Sequence, residues 1–185
     1  MQQENKAEEE PKDPVQKEFE EGKGFLEQNN LSQAAVCFHN VLRIREEQAD
    51  EPGIANACNQ LGHVCLMKEE YELAEKHYKR AWEICDKLGD LMSLLSLRQK
   101  LIEVYRGKKD YQRAINESLD LLDKYRDLNN PHASVALLEL LASIFIDSGN
   151  KAGAADAYRT IASIHRNFKH QNFAERYEEK AKELE

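Results

Sequence analysis

The chain has 185 residues, a formal net charge of −8, and only 8 glycines and 4 prolines. The acidic balance argues against a nucleic-acid ligand, whose phosphates attract a basic surface. The sequence contains no run of eighteen apolar residues and no signal-peptide pattern. It therefore favours a cytoplasmic protein with no membrane insertion.

Residues 1–14 are predicted to form a disordered acidic tail. Five acidic side chains oppose two basic ones there, and apolar residues are few. Such a segment buries too little apolar surface to offset its ordering entropy.

From residue 15 onward the sequence repeats every forty residues. Strong helix formers such as Ala, Leu, Glu and Lys dominate, so the repeat is predicted to be helical and the protein all-α. The equivalent positions hold small or apolar residues, namely Ala34, Ala74, Ala114 and Ala154; Phe38, Tyr78, Ser118 and Tyr158; Val41, Ala81, Leu121 and Ile161; Phe25, Cys65, Tyr105 and Phe145; Gly22, Gly62, Ile102 and Ala142.

Within each repeat the apolar residues form two helical stripes. Leu61, Gly62 and Cys65 lie on one helix face, and Ala74, Tyr78 and Ala81 lie on another. Short polar breaks separate the stripes, at 28–30, 68–70, 107–110 and 148–150, and indicate tight turns between antiparallel helices. The prediction is four helical hairpins over 15–168, with boundaries at 15–54, 55–94, 95–134 and 135–168.

Small residues are predicted to let the paired helices approach closely. Gly in a helix costs about 1 kcal/mol relative to Ala, so Gly22 and Gly62 indicate a packing requirement. We expect the aromatic ring of Tyr78 to fill the space toward the next hairpin.

The pattern from Leu61 to Ala81 resembles the tetratricopeptide repeat (TPR) signature, with Leu-Gly, a Cys three residues later, then Tyr, Ala, Tyr and Ala at their usual spacing. The resemblance implies a right-handed solenoid whose concave groove is lined by the first helix of each hairpin. The usual repeat has 34 residues, so the forty-residue period implies a longer second helix. It resembles the long-repeat subclass of kinesin light chains, spindle-orientation adaptors and bacterial Rap-type regulators.

The last segment, 169–185, is predicted to be a capping helix. Phe173, Tyr177 and Ala181 are four apart and make one apolar stripe surrounded by charges. Solenoids require a terminal cap with a polar outer face.

The TPR register places candidate partner-binding residues on the first helices. They are Phe19, Lys23 and Leu26; Asn56, Asn59, His63 and Met67; Gln99, Glu103 and Arg106; Glu139, Ser143 and Ile146. Asn56, Asn59 and His63 share one helix face, where an amide can both donate to and accept from a peptide backbone. Lys23 and Arg106 suit carboxylates, whereas the acidic residues suit cations. The plain alternative is a solvated polar face.

No other chemistry is indicated by the residues. The four cysteines, Cys37, Cys58, Cys65 and Cys85, lack C-x-x-C spacing and fall on packing stripes, which predicts reduced, packed thiols. The six histidines are scattered, and no phosphate loop or paired nucleophile and base is present. The sequence therefore predicts no enzyme, no metal and no cofactor.

Three functions remain open from the sequence. The first is a protein–protein interaction adaptor that holds an extended peptide or helix of a partner in the groove. The second is a self-assembling structural scaffold, against which the charged last helix argues; the chain is expected to be a monomer or weak homo-oligomer. The third is a regulatory module that senses a peptide.

Overall fold

The computed structural model describes residues 13–185 and contains only helices, turns and short connections there. The predicted acidic tail lies outside the described residues except for its last two positions. Asp13 is the N-cap of the first helix and accepts a hydrogen bond from the Val15 amide at 3.3 Å, and Pro14 is the first helical residue. Proline is favoured at this position because its missing N–H would have no helical partner.

The chain divides into two compact units, and each is a series of helices packed on their chain neighbours. The described part of unit 1 covers residues 13–89 and contains α1 (Pro14–Glu27), α2 (Leu31–Glu47), α3 (Glu51–Met67) and α4 (Tyr71–Leu88). Unit 2 covers 90–185 and contains α5 (Leu91–Gly107), α6 (Tyr111–Asp127), α7 (Pro131–Asp147), α8 (Lys151–Asn167) and α9 (Gln171–Lys182).

The forty-residue period is made of two twenty-residue halves. The helices α2, α3, α5, α6, α7 and α8 have 17 residues each, and the loops at 28–30, 48–50, 108–110 and 148–150 have three. First and second helices are therefore equal in length in these cases, whereas the forty-residue period was expected to give a longer second helix. The repeat boundaries drawn at 55, 95 and 135 consequently fall four residues inside α3, α5 and α7.

The loops share one backbone geometry. The residue directly before each N-cap from Asn30 onward has positive φ; these residues are Asn29, Ala49, Glu69, Gly89, Lys109, Asn129, Gly149 and Lys169. In the first loop the Asn29 amide donates to the Leu26 carbonyl at 2.9 Å and the Asn30 amide to the Phe25 carbonyl at 2.7 Å. This is a Schellman arrangement, which satisfies carbonyls at the helix end. The next residue then caps the following helix, as Asp50 does by accepting from the Gly53 amide at 3.0 Å.

The core follows the predicted period. The equivalent alanines Ala34, Ala74, Ala114 and Ala154 are all completely buried. A Cβ on Gly62 would lie 2.7 Å from the Tyr78 ring, so the glycine is required by close packing. The Tyr78 ring thus covers the glycine of its own hairpin, which corrects the expectation that it fills the space toward the next one.

In the third hairpin the large and the small side chain of this contact are exchanged between the two helices. Ile102 and Ser118 occupy the positions of Gly62 and Tyr78, and both are completely buried. The Ser118 hydroxyl donates to the Ala114 carbonyl at 2.7 Å, which satisfies its buried polar group.

The last helix, α9, covers the end of unit 2. Ala174 and Tyr177 are buried in the same cluster as Ile161 of α8, and Ala181 is buried as well. Phe173, predicted to belong to this stripe, is instead 54% exposed, because Ala174 rather than Phe173 turns toward α8. The Phe173 ring stacks on His165, with centroids 5.2 Å apart.

Candidate functional site

In unit 1 the first helices, α1 and α3, form a cleft of about 300 Å³. Its lining includes Lys23 and Leu26 of α1 together with Gln60, His63 and Met67 of α3. We call this the α1–α3 cleft. The structure therefore brings together four predicted residues, Lys23, Leu26, His63 and Met67, from two hairpins. Gln60 was not in the predicted set. It directly follows Asn59 in the sequence, and of these two amide side chains only Gln60 lines the cleft.

A second depression of about 200 Å³ lies near the start of α3. Its lining includes the candidate residues Phe19 and Asn56, together with Arg45 of α2. The Phe19 ring makes an edge contact with Phe38, with centroids 5.5 Å apart, so Phe19 is half-buried in the hairpin. Asn56 is exposed.

Arg45 was not among the sequence candidates. Its guanidinium lies 3.4 Å from the Asp13 carboxylate and 3.3 Å from the Asp50 carboxylate, and the side chain is 20% exposed. It therefore joins the caps of α1 and α3 to the end of α2. The sequence feature that could have indicated this role is the spacing of Arg45, in the last turn of α2, five residues before Asp50, the N-cap of α3.

Lys23 provides a positive charge at the α1–α3 cleft, and Glu27, which also lines the cleft, provides a negative one. Its ammonium group lies 2.9 Å from the Glu20 carboxylate, and both side chains are more than 40% exposed. An exposed pair of this kind contributes about 0–1 kcal/mol. Lys23 can therefore exchange Glu20 for a ligand carboxylate at little cost.

In unit 2 the predicted polar residues contact one another. Arg106 of α5 donates to Asp147 of α7 at 2.6 Å, and Lys100 lies 3.4 Å from Glu103 on the same helix. The Ser143 hydroxyl donates to the Glu139 carbonyl at 3.1 Å. Gln99 is half-buried on α5. The Arg106–Asp147 pair thus connects successive first helices, a role that the sequence did not indicate.

Glu139 also connects helices. Its carboxylate accepts a hydrogen bond from the Tyr177 hydroxyl of α9. Burial raises the pKa of Tyr177 to about 12, and the hydrogen bond to Glu139 adds to the shift. Any ligand that uses Glu139 must compete with this internal donor.

The four cysteines are buried thiols, as predicted. Burial raises the pKa of Cys58 to about 11 and also raises the pKa of Cys37 and Cys65. Since the thiolate is the reactive form, these groups are poor nucleophiles. Residues 13–185 contain no group of three or more His, Cys, Asp or Glu side chains placed to hold a metal ion. None of the described helices has the length and apolar character needed to cross a membrane.

No protein-family model matches the chain, and no curated protein sequence matches it. Solved structures do match its fold. A crystal structure of a Podosopora anserina kinesin light chain with nearly identical TPR-like repeats has a TM-score of 0.67 and 12% identity, covering 94% of this chain and 97% of that one.

Two further structures show the same arrangement. A Rap protein in complex with competence and sporulation factor gives a TM-score of 0.69 at 16% identity, over 92% of this chain and 51% of that one. A signal-transduction ATPase with a tetratricopeptide repeat sensor, from Pyrococcus horikoshii, gives 0.64 at 18% identity, over 92% of this chain and 29% of that one. The fold is therefore that of TPR-like helical-repeat proteins.

Proposed function

We propose that the chain is a protein-interaction adaptor that holds an extended peptide or a helix of a partner on the first-helix face of unit 1. The observation that carries the proposal is the α1–α3 cleft, where an exchangeable lysine, an amide and an imidazole surround apolar Leu26 and Met67. Amides and imidazoles satisfy peptide N–H and C=O groups, and the apolar residues bury a side chain.

The structural likenesses support this proposal by analogy. The Rap structure was solved with competence and sporulation factor bound, and the Pyrococcus protein carries a tetratricopeptide repeat sensor. Binding without catalysis is the function we infer, in keeping with thiols whose pKa is raised. A cytoplasmic location is part of the proposal, since a reducing compartment keeps packed thiols reduced.

The test is a peptide selected from a random library against the full chain, with affinity measured by fluorescence anisotropy. The double variant Gln60→Ala, His63→Ala should weaken binding by roughly 10-fold or more, because two hydrogen-bonding side chains that line the cleft are lost. The melting temperature should change little, since neither side chain is fully buried.

A matched control removes one imidazole and one amide from α2 instead. The variant His39→Ala, Asn40→Ala alters two exposed side chains on a second helix and should leave the affinity unchanged. Equal affinities for all three proteins would place the binding surface elsewhere and reject the α1–α3 cleft.

A further inference from the structure

Unit 2 contains a larger pocket that the proposed peptide surface does not use. It has a volume of about 440 Å³ and lies among α6, the beginning of α7 and the end of α8. Its apolar lining comes from Leu122, Leu138 and Ile164, and the rings of Tyr125 and Phe168 add aromatic surface. This volume is within the range of small-molecule sites.

The corresponding place in unit 1 carries larger side chains. Eighty residues before Ser134 and Thr160, which line the pocket, the chain has Ile54 and Arg80. Ile54 is buried, and the Arg80 guanidinium donates to the Glu46 carboxylate at 2.6 Å, joining α4 to α2. The position of Glu46 is taken by Arg126 in unit 2. Unit 2 therefore lacks both the branched side chain and the ion pair that unit 1 has there.

The two small residues contribute little polarity to the pocket. The Ser134 hydroxyl donates to the Asn130 carbonyl at 3.0 Å, and the Thr160 hydroxyl donates to the Asp156 carbonyl at 2.9 Å. Because each hydroxyl proton is directed to its own helix backbone, the pocket keeps a mainly apolar surface.

One charge lies at the pocket. Arg126 is the single charged side chain among its lining residues, in a chain with a net charge of −8. It pairs with Asp123 at 3.0 Å, but the two side chains are 75% and 62% exposed. A pair so exposed is weak, so the guanidinium can turn to a carboxylate on a ligand, which it binds in a two-pronged geometry.

We propose that this pocket is a binding site for a small organic acid with an aromatic or branched apolar body and one carboxylate. The body lies against Leu122, Leu138 and Ile164, between the rings of Tyr125 and Phe168. The carboxylate pairs with Arg126. The site is independent of the α1–α3 cleft, because every residue of it belongs to unit 2.

The experiment is a titration of the ¹⁵N-labelled full chain, followed by amide chemical shifts. The probes are indole-3-propionate and its neutral analogue indole-3-propanol. Shifts should concentrate at residues 122–138 and 160–168. The acid should bind up to about fivefold more tightly than the alcohol, as expected for one exposed ion pair.

Three variants test the assignment. Ser134→Ile introduces the residue that unit 1 has and should weaken binding of both probes by about tenfold or more, by filling the pocket. Thr160→Leu alters an exposed residue, cannot unfold the core and should also weaken both. Arg126→Gln should remove the preference for the acid while keeping the alcohol's affinity.

The control is Ser96→Ile, which makes the same chemical change at an exposed position of α5 outside the pocket lining and should bind both probes normally. The proposal is overturned if neither probe shifts the pocket amides at its solubility limit. It is also overturned if the shifts spread over the whole chain, or if Ser134→Ile and Thr160→Leu bind as the original protein does.

Discussion

At the residue scale, the loops depend on a backbone conformation that most side chains avoid. Ala49, Glu69 and Lys109 have φ between 54° and 61°, whereas Gly89 and Gly149 meet the same requirement without a Cβ. A left-handed L-residue costs roughly 1–2 kcal/mol. In the loops without glycine, the Schellman hydrogen bonds and the helices on both sides therefore stabilise the left-handed conformation.

This gives a reciprocal pair of predictions. Ala49→Gly should raise the free energy of unfolding by about 0.5–1 kcal/mol, since relief of strain exceeds the added freedom of the unfolded chain. Gly149→Ala should lower it by about 1 kcal/mol at the equivalent position. Urea unfolding of the two variants measures both, and changes of the same sign would contradict the shared loop geometry.

The second residue-scale prediction concerns the contact between Gly62 and Tyr78. Gly62→Ala should destabilise the protein by about 1–2 kcal/mol despite its better helix propensity, because the added Cβ would lie 2.7 Å from the ring. Gly24→Ala is the control. Apart from its chain neighbours and the backbone of its own helix turn, no described atom lies within 4 Å of its added Cβ, so the change should stabilise α1 by up to about 1 kcal/mol.

The third hairpin, in which the large and small side chains are exchanged, provides a second test of this contact. Gly62→Ile combined with Tyr78→Ser copies the Ile102 and Ser118 pair. The double variant should lose less stability than the two single changes summed, with a coupling of about 1–3 kcal/mol. Simple additivity would mean that the two positions do not share one packing space.

At the element scale, α9 is fastened to α7 as well as to α8. The Tyr177 hydroxyl donates to Glu139, and the ring stacks on His165 of α8 with centroids 5.6 Å apart. A raised pKa means that the folded state favours the neutral phenol. Its contribution is complete below the ordinary pKa of 10.0 and is lost as the pH rises toward about 12.

The corresponding prediction compares Tyr177→Phe with the original protein by urea unfolding at pH 9 and near pH 12. At pH 9 the variant should be less stable by about 1 kcal/mol, because the hydrogen bond is missing. Near pH 12 the difference should shrink or reverse, since only the original protein has a phenol at position 177 to ionise. If the stability difference between the two proteins stays constant with pH, ionisation of Tyr177 does not contribute to the pH dependence of stability.

At the scale of the whole molecule, the exposed side of α9 decides whether copies can associate through this end. Glu175, Arg176, Glu179 and Lys182 are exposed there, which gives α9 the polar outer face of a cap. Light scattering should therefore give a constant monomer mass over a wide range of concentration. A mass that rises with concentration would favour the self-assembling scaffold instead.

Most of the fold could be predicted from the sequence because the same pattern of buried residues occurs in each of the four repeats. Ala34, Ala74, Ala114 and Ala154 share one environment, so their spacing alone indicates equivalent helices. A twenty-residue spacing of N-cap residues is also present in the sequence, between Asn30 and Asp50 and between Asp90 and Asp110. The predicted boundaries at 55, 95 and 135 follow the forty-residue period alone and therefore lie inside α3, α5 and α7 rather than at these caps.

The sequence by itself determined the helical repeat, the buried alanines and thiols, and the requirement for glycine at Gly62. Only the tertiary structure decided which polar groups remain available to a ligand. Arg106 and Asp147 are forty-one residues apart and pair across two helices. Thr160 lines a pocket in unit 2, whereas Arg80, at the equivalent position of unit 1, forms an ion pair with Glu46. Periodicity specifies the face on which a side chain lies, whereas its partner depends on distances between helices, which a linear pattern does not contain.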